Sequence, residues 1–495
     1  MFKKITMEST PLSSCNESTL TPYTDSGENP WNTIKIKHAS RRLGFGTSQN
    51  NIDNTLELSP DECIENIINE AINKPPTPTP FWADYAFSDF TNFEEENPQY
   101  VEGWKTQTVN DLINENLRGR LTFFWMNHFV AGLDSYYYAP YLFQYYNISQ
   151  TYAIGNLKTF VKEIGACSAM LIYLNGFQNT NTEPNENYAR ELYELFTLGE
   201  GNGYTETDIT ETAKALTGYN HWAEYGAPIY FDEMTWVDGD KTIFGQTGNW
   251  KHDDVIDVLF QERPTEIATF ICSKLYRYFV SHEIDSIVFE TIINPLAQTL
   301  VDNDFELAPM LNQLFKSEHF FDERALGVII KSPYDITIQF IKESTFFYND
   351  ELINSLIYFT GLFGQRIFDP PNVAGWQRDE EWINTSTLTG RWQFTELYLG
   401  LLYQNGLEST FVDFAKELTN DSNDPEFITE VLINHFNAKE LYSPGDYQIA
   451  TDIFKWEIPQ NYYDDGSWNL DWGEAPYQIY LLLSHLATIP EFQLK

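Results

Sequence analysis

Over most of this chain, apolar residues recur with the 3.6-residue period of amphipathic helices, and alternating β-branched runs are scarce. The run IKIKHASRRLGFG (34–46) predicts a short helix closed by glycine. LSPDECIENIINEAIN (58–73) predicts an amphipathic helix started by Ser59 and Pro60. KPPTPTP (74–80) cannot continue it, because proline disfavours helix at the preceding residue, and predicts an extended connector. Further helical patterns follow at about 107–130, 155–176, 185–198 and 206–217. Between 220 and 250 the period is lost while Asp, Gly, Trp and Thr accumulate, predicting a loop or small hairpin. Helices resume through 254–261, 264–280, 286–301, 305–315, 323–331 and 333–346. Glycines and prolines interrupt 361–376 (GLFGQRIFDPPNVAGW), an irregular but ordered loop whose aromatics require burial; beyond it the last hundred residues return to helices.

The fold class expected is therefore mainly α: a large multi-helix body with no central parallel sheet and strands confined mainly to 220–250. Residues 1–33, rich in Ser, Thr, Asn and Pro, predict a flexible tail. Residues 34–395 predict a main helical domain, and 396–495 a C-terminal helical region packed on it. No internal repeat of fixed period is present.

With 42% hydrophobic residues the 495-residue chain can bury a large core, and aromatics reach 16%. The 72 acidic against 30 basic side chains give a formal charge of −42. A surface this negative repels phosphate backbones and anionic lipids, so nucleic acid is not expected as a partner; it suits a salty medium, divalent cations or a cationic partner. Cys15, Cys63, Cys167 and Cys272 lie far apart without CxxC spacing, which excludes a zinc ribbon and a thioredoxin motif. The start, MFKKITMESTPLSSCNEST, has no apolar run after its lysines, and no stretch approaches 18 apolar residues. Neither a signal peptide nor a transmembrane segment is expected, and a cytoplasmic location follows from that reading.

The densest set of polar residues is NENYARELYELFTLGEGNGYTETDITETAKALTG (185–218). On a helix beginning near Asn185, Asn187, Arg190, Glu191 and Glu194 form one stripe opposite Tyr188, Leu192, Leu195 and Phe196, and Glu186–Arg190 is an i,i+4 pair in the favourable order. Such a stripe is either a solvated face or an inward network able to bind a divalent cation or shuttle a proton. In LTFFWMNHFV (121–130), Asn127 and His128 interrupt an apolar aromatic helix, as a hydrogen-bonded core pair or as site residues. In PPNVAGW (370–376), followed by Trp382, Asn384 and Arg391, two prolines stiffen the backbone, Gly375 permits a tight approach and Trp376 anchors the loop. The candidate catalytic residues are thus His128, Glu186, Arg190, Glu191 and Glu194; the candidate substrate-binding residues are Asn127, Asn187, Asn372, Trp376 and Arg391. YYYAPYLFQYY (136–146) reads as an aromatic core edge or a sugar-stacking surface. HExxH, GxSxG, P-loop and GxGxxG motifs are absent.

Together RRLGFG (41–46), FFWMNHF (123–129), MLIYLNG (170–176), NENYARELYELFTLG (185–199), YTETDITETAKALTGY (204–219), PPNVAGW and PEFQL (490–494) resemble the bacterial domain-of-unknown-function 1800 family, from about His38 to the C-terminus. The resemblance implies an exported protein, encoded beside a sulfatase-like partner, and so an extracytoplasmic alternative to the cytoplasmic reading. It carries no established activity. His38, His128, Glu186, Asn187, Arg190, Glu191 and Glu194 stand where the family pattern has the same residue types. One departure is that the family often has a His-Asp pair before Gly-x-Lys-Thr, where this chain has Trp236-Val237 before Asp238-Gly239-Asp240-Lys241-Thr242. Three readings follow: a hydrolase or lyase acting on extracellular polymer or modified glycan through an inward Glu/Arg/His cluster, a non-catalytic scaffold, or a divalent-cation-binding structural protein.

Overall fold

The structure is a computed structural model that describes residues 18–220 and 229–495. Helices dominate it, and the strands form two antiparallel pairs, Tyr219–Asn220 with Tyr230–Phe231 and Lys241–Ile243 with Gln246–Gly248. The expected hairpin region therefore holds these strands, although residues 221–228 within it lie outside the described residues. One contiguous hydrophobic core runs from Tyr23 to Phe492 and draws on nearly every helix. Local signals act as expected. Ser59 and Glu62 close a capping box on the helix Pro60–Asn73, satisfying backbone donors that the first turn leaves without partners. Tyr138, Tyr145 and Tyr146 are buried, so the tyrosine-rich run is a core edge carried by the helix Ala139–Thr151.

Three segments differ from the sequence expectation, each for a tertiary reason. Of the tail predicted over 1–33, residues 1–17 lie outside the described residues. Beyond them Tyr23 is buried against Phe321, and its N–H donates to the Lys316 carbonyl (2.7 Å). The helix predicted over 323–331 is a single 3₁₀ turn, Glu323–Ala325, followed by extended chain. There the C-terminal residues take the backbone groups a helix would use: Lys331 N–H donates to Gln493 O (2.8 Å) and Lys495 N–H to Ile329 O (2.9 Å). The boundary predicted at 395/396 falls inside the continuous helix Thr385–Gln404, so no linker separates the C-terminal region from the rest.

That return of the C-terminus builds the interior beside the site. RRLGFG supplies Arg41, whose guanidinium pairs both oxygens of buried Glu343 (2.7 and 2.9 Å), and Arg42, which donates to four carbonyls including Lys495 O. Asp335 is held between Arg120 and the Lys495 ammonium (2.6 Å). Burial alone would raise the carboxyl of Asp335; the two cations overcome it and hold the group well below the usual carboxylate range.

Candidate functional site

The helix Asn116–His128 is buried on nearly every side: Leu117, Leu121, Phe123, Phe124 and Trp125 pack in the core, and its buried Arg118 and Arg120 are ion-paired. A helix buried all round has no solvated face to receive a polar residue, so Asn127 and His128 at its C-terminal end need protein partners. Asn127 Oδ1 accepts the backbone N–H of Trp376 (2.6 Å), which fastens the 370–376 loop to the end of this helix. Trp376 then stacks on Phe123 with centroids 5.0 Å apart, and its indole N–H donates to Arg366 O (3.0 Å). The approach is close enough to require glycine at 375, which sits at φ +98°; a Cβ there would lie 2.3 Å from Asn127 Oδ1.

His128 meets the end of the signature helix. The segment Asn187–Glu191 continues as the π-helix Leu192–Thr197, with Leu198 N–H donating to Tyr193 O (2.9 Å). The carbonyls of Leu195 and Phe196 belong to the last turn, where no further turn supplies an N–H. Phe196 O accepts from His128 Nε2 (3.0 Å), and Leu195 O from Lys274 Nζ (3.1 Å). Because a carbonyl only accepts, Nε2 carries the imidazole proton and Nδ1 is left with its lone pair. Lys274 Nζ donates to that Nδ1 at 3.0 Å. Burial, then the Lys274 charge, drives the His128 pKa well below its ordinary value, so the ring is neutral. Burial lowers the Lys274 pKa to about 7, with Arg378 and Arg277 acting in the same direction.

Lys274 and Arg277 lie one turn apart on the helix Pro264–Phe279. With His128, Tyr278, Asp335, Trp376, Arg378, Trp382 and Lys495 they line a cavity of about 110 Å³. It opens into a wider trough of about 670 Å³ bounded by Glu194, Glu200, Phe270 and the loop 371–378; His128, Lys274, Trp376, Gln377 and Arg378 line both. The inner cavity thus gathers Lys274, Arg277, Arg378 and Lys495 against two carboxylates, Asp335 and Asp379. In a chain of charge −42, it is a local cationic cleft with aromatic walls.

The residues singled out by sequence divide by location. His128, Asn127 and Trp376 line the cavity; Glu194, Asn372 and Trp376 line the trough. Asn372 makes a turn with its own loop, accepting from Ala374 N–H (2.9 Å). Glu186, Arg190 and Glu194 do not form the inward network expected. Arg190 is one-third exposed and pairs at the surface with Glu206 (2.8 Å), Glu186 (3.3 Å) and Glu194 (3.3 Å), because the stripe opposite the buried Tyr188, Leu192 and Phe196 faces outward. Glu191 is half-buried, with its pKa raised first by desolvation and then by Glu194. Asn187 is a tie, donating to Leu174 O (3.0 Å). Arg391 is buried outside the cavity lining, bonded to Gln493 and to Trp382 O. His38 donates to Phe320 O (2.9 Å) in the core.

Sequence reasoning missed Lys274, Arg277 and Arg378. A usable signal was present in PTEIATFICSKLYRYF: two cations one turn apart on an aromatic helix, with phenylalanine and tyrosine rather than acids four residues either side of Lys274. Among the described residues, no group of three or more His, Cys, Asp or Glu side chains is placed to hold a metal ion. Nor is any helix among them long and apolar enough to cross a membrane. Cys63, Cys167 and Cys272 are free and buried, with thiol pKa values raised by burial.

A mainly helical body carrying a cationic, aromatic-walled cleft at the junction of three sequence motifs defines the class of protein. The chain belongs to the DUF1800 family of proteins of unknown function, whose family model matches residues 38–494. No curated protein and no solved structure matches it.

Proposed function

We propose that this protein is an enzyme, a hydrolase or lyase, that acts on an anionic extracellular polymer or modified glycan held in the Lys274–Trp376 cleft. The observation that carries the reading is the convergence of Lys274, Arg277, Arg378 and Lys495 on one cavity in a strongly acidic chain. A like-charged exterior repels anions everywhere except where cations gather, so field lines focus an anionic ligand on this cleft. Trp376, Trp382 and Phe124 supply flat apolar walls of the kind that stack on sugar rings. Nucleic acid fits poorly, since the surrounding surface repels a long phosphate backbone. The sulfatase-like partner implied by family resemblance suits the same chemistry, because both proteins would handle an anionic glycan.

The test is calorimetric binding of acidic and neutral oligosaccharides to the full chain. Acidic oligosaccharides should bind, with affinity falling as salt rises, and the Arg277→Gln/Arg378→Gln double variant should lose that binding with little change in melting temperature. Equal binding of neutral and acidic chains, or no binding of either, would sink the proposal. Binding without any product from any polymer would make the protein a scaffold instead.

A further inference from the structure

We infer that the cleft performs a β-elimination on uronate-containing polymer, with Lys274 as the base that removes the proton α to the uronate carboxylate. The inference rests on the anionic-polymer reading above and decides between the two reaction types it leaves open.

Glycoside hydrolysis ordinarily needs two carboxyl groups flanking the bond, one of them protonated. Among the described residues the inner cavity is lined by two, Asp335 and Asp379, while Glu194, Glu200 and Glu381 stand on the wider trough and not on the inner cavity. Asp335 is locked in its ionised form between Arg120 and Lys495, so it has no proton to give and no freedom to attack. Asp379 is left without a second free carboxyl group in the cavity. What the cavity has instead is an amine. Lys274 Nζ spends two of its three donor positions on His128 Nδ1 and Leu195 O, which fix its direction; the rest of the group faces the cavity. Neither hydrogen-bond partner is anionic, and although the Phe270 ring lies 4.7 Å from the amine and favours its charged form, burial and the cations Arg378 and Arg277 outweigh that contact. The neutral amine is the base that proton abstraction from carbon requires, and a pKa of about 7 matches a general base near neutral pH.

The same two arginines serve the other half of the reaction. Loss of the proton at C5 of a 4-linked uronate places its electron pair on the carboxylate as an enolate, whose added negative charge Arg277 and Arg378 are placed to offset. The pair then forms the C4–C5 double bond as the C4–O bond breaks. The departing oxygen takes the proton back from the Lys274 ammonium or from water. One proton moves from carbon to oxygen, and neither water nor an oxidant is consumed. His128 acts through Lys274 as a positioning residue, since its fixed tautomer presents a lone pair and not a second N–H to the amine.

The experiment uses the full chain with polygalacturonate, alginate and a neutral glucan of similar length. Expected is a new ultraviolet absorbance from the conjugated double bond on at least one uronate polymer, matched one-for-one by new reducing ends, with activity rising through pH 7. Lys274→Arg and Lys274→Met should both lower kcat by roughly 10²-fold or more, the range for losing a general base. The arginine variant keeps the charge and should keep uronate binding, whereas the methionine variant, which also leaves His128 Nδ1 and Leu195 O without their donor, should weaken binding and lower the melting temperature. New reducing ends without the absorbance would mean hydrolysis and overturn the inference. So would uronate binding without turnover, or full activity in Lys274→Met. Absence of binding to any acidic polymer would defeat the underlying cleft reading instead. His128→Gln should shift the pH profile of kcat; a variant that changes only melting temperature would remove the positioning role.

Discussion

Asn127, His128 and Gly375 show how much one residue can decide here. Each interrupts an apolar or Pro-rich run, and each does so because another element presses against it: the Trp376 backbone on Asn127, the end of the signature helix on His128, and the Asn127 side chain on Gly375. Gly375→Ala would place a methyl group 2.3 Å from Asn127 Oδ1 and 2.7 Å from Asn127 O, at a φ of +98°. It should cost about 1–3 kcal/mol for the backbone conformation alone. It should also free the loop from the end of the His128 helix, and denaturant unfolding together with Trp376 fluorescence would register both effects. An alanine variant as stable as the parent, with unchanged fluorescence, would show that the close approach is not as drawn.

At the scale of elements, the signature helix separates two roles that its sequence merges. Its outer face carries Glu186, Arg190 and Glu194; its C-terminal π-turn presents the Leu195 and Phe196 carbonyls to Lys274 and His128. Exposed ion pairs contribute little, about 0–1 kcal/mol, because solvent screens them and long side chains lose freedom. Arg190→Ala should therefore change unfolding free energy by less than about 1 kcal/mol, with the small loss shrinking further in high salt. A loss of several kcal/mol would mean the network is structural after all. The helix was legible from periodicity; which of its faces meets the protein was not, because a polar stripe reads the same on a wet surface and in a paired interior.

Across the whole molecule, five histidines are buried among the described residues, and three of them shape the response to acid. His38, His128 and His435 all have pKa values lowered chiefly by burial, His435 to about 3. In the unfolded chain each titrates near 6.5. Above that pH both states hold neutral rings and no stability depends on them. Below it the unfolded chain binds protons that the folded chain refuses, so stability falls with decreasing pH, by up to about 1.4 kcal/mol per pH unit for each ring, until the folded values are reached. Buried Glu343 and Asp335 have lowered pKa values, so their contribution is lost later, as pH falls below the ordinary carboxylate range. Melting temperature should fall from pH 7 to pH 5, before Glu343 and Asp335 take part. Asp369, whose pKa burial and Asp134 raise to about 6, offsets part of the fall because the folded chain takes up its proton first. A flat profile over that interval would mean the folded rings take up protons.

Periodicity, caps and composition are local properties, and they by themselves determined the mainly helical class, most helix positions, the irregular 361–376 loop and the three motifs around the cleft. Family membership was legible in the same motifs. Tertiary structure alone decided how backbone and charge were satisfied. The 323–331 segment reads as helix until residues 493–495 pair with it, and the expected 395/396 boundary dissolves into one helix because nothing in composition reports that a core is shared. The glutamates of the signature stripe read as site residues, while nothing in the sequence reading singled out Lys274, Arg277 or Arg378. Only the packing of the helices Asn116–His128 and Pro264–Phe279 and the 370–378 loop around one cavity reverses those roles. The physical reason is that a helix specifies which residues share a face over a turn or two, whereas the charge of a cleft is a sum over residues hundreds of positions apart.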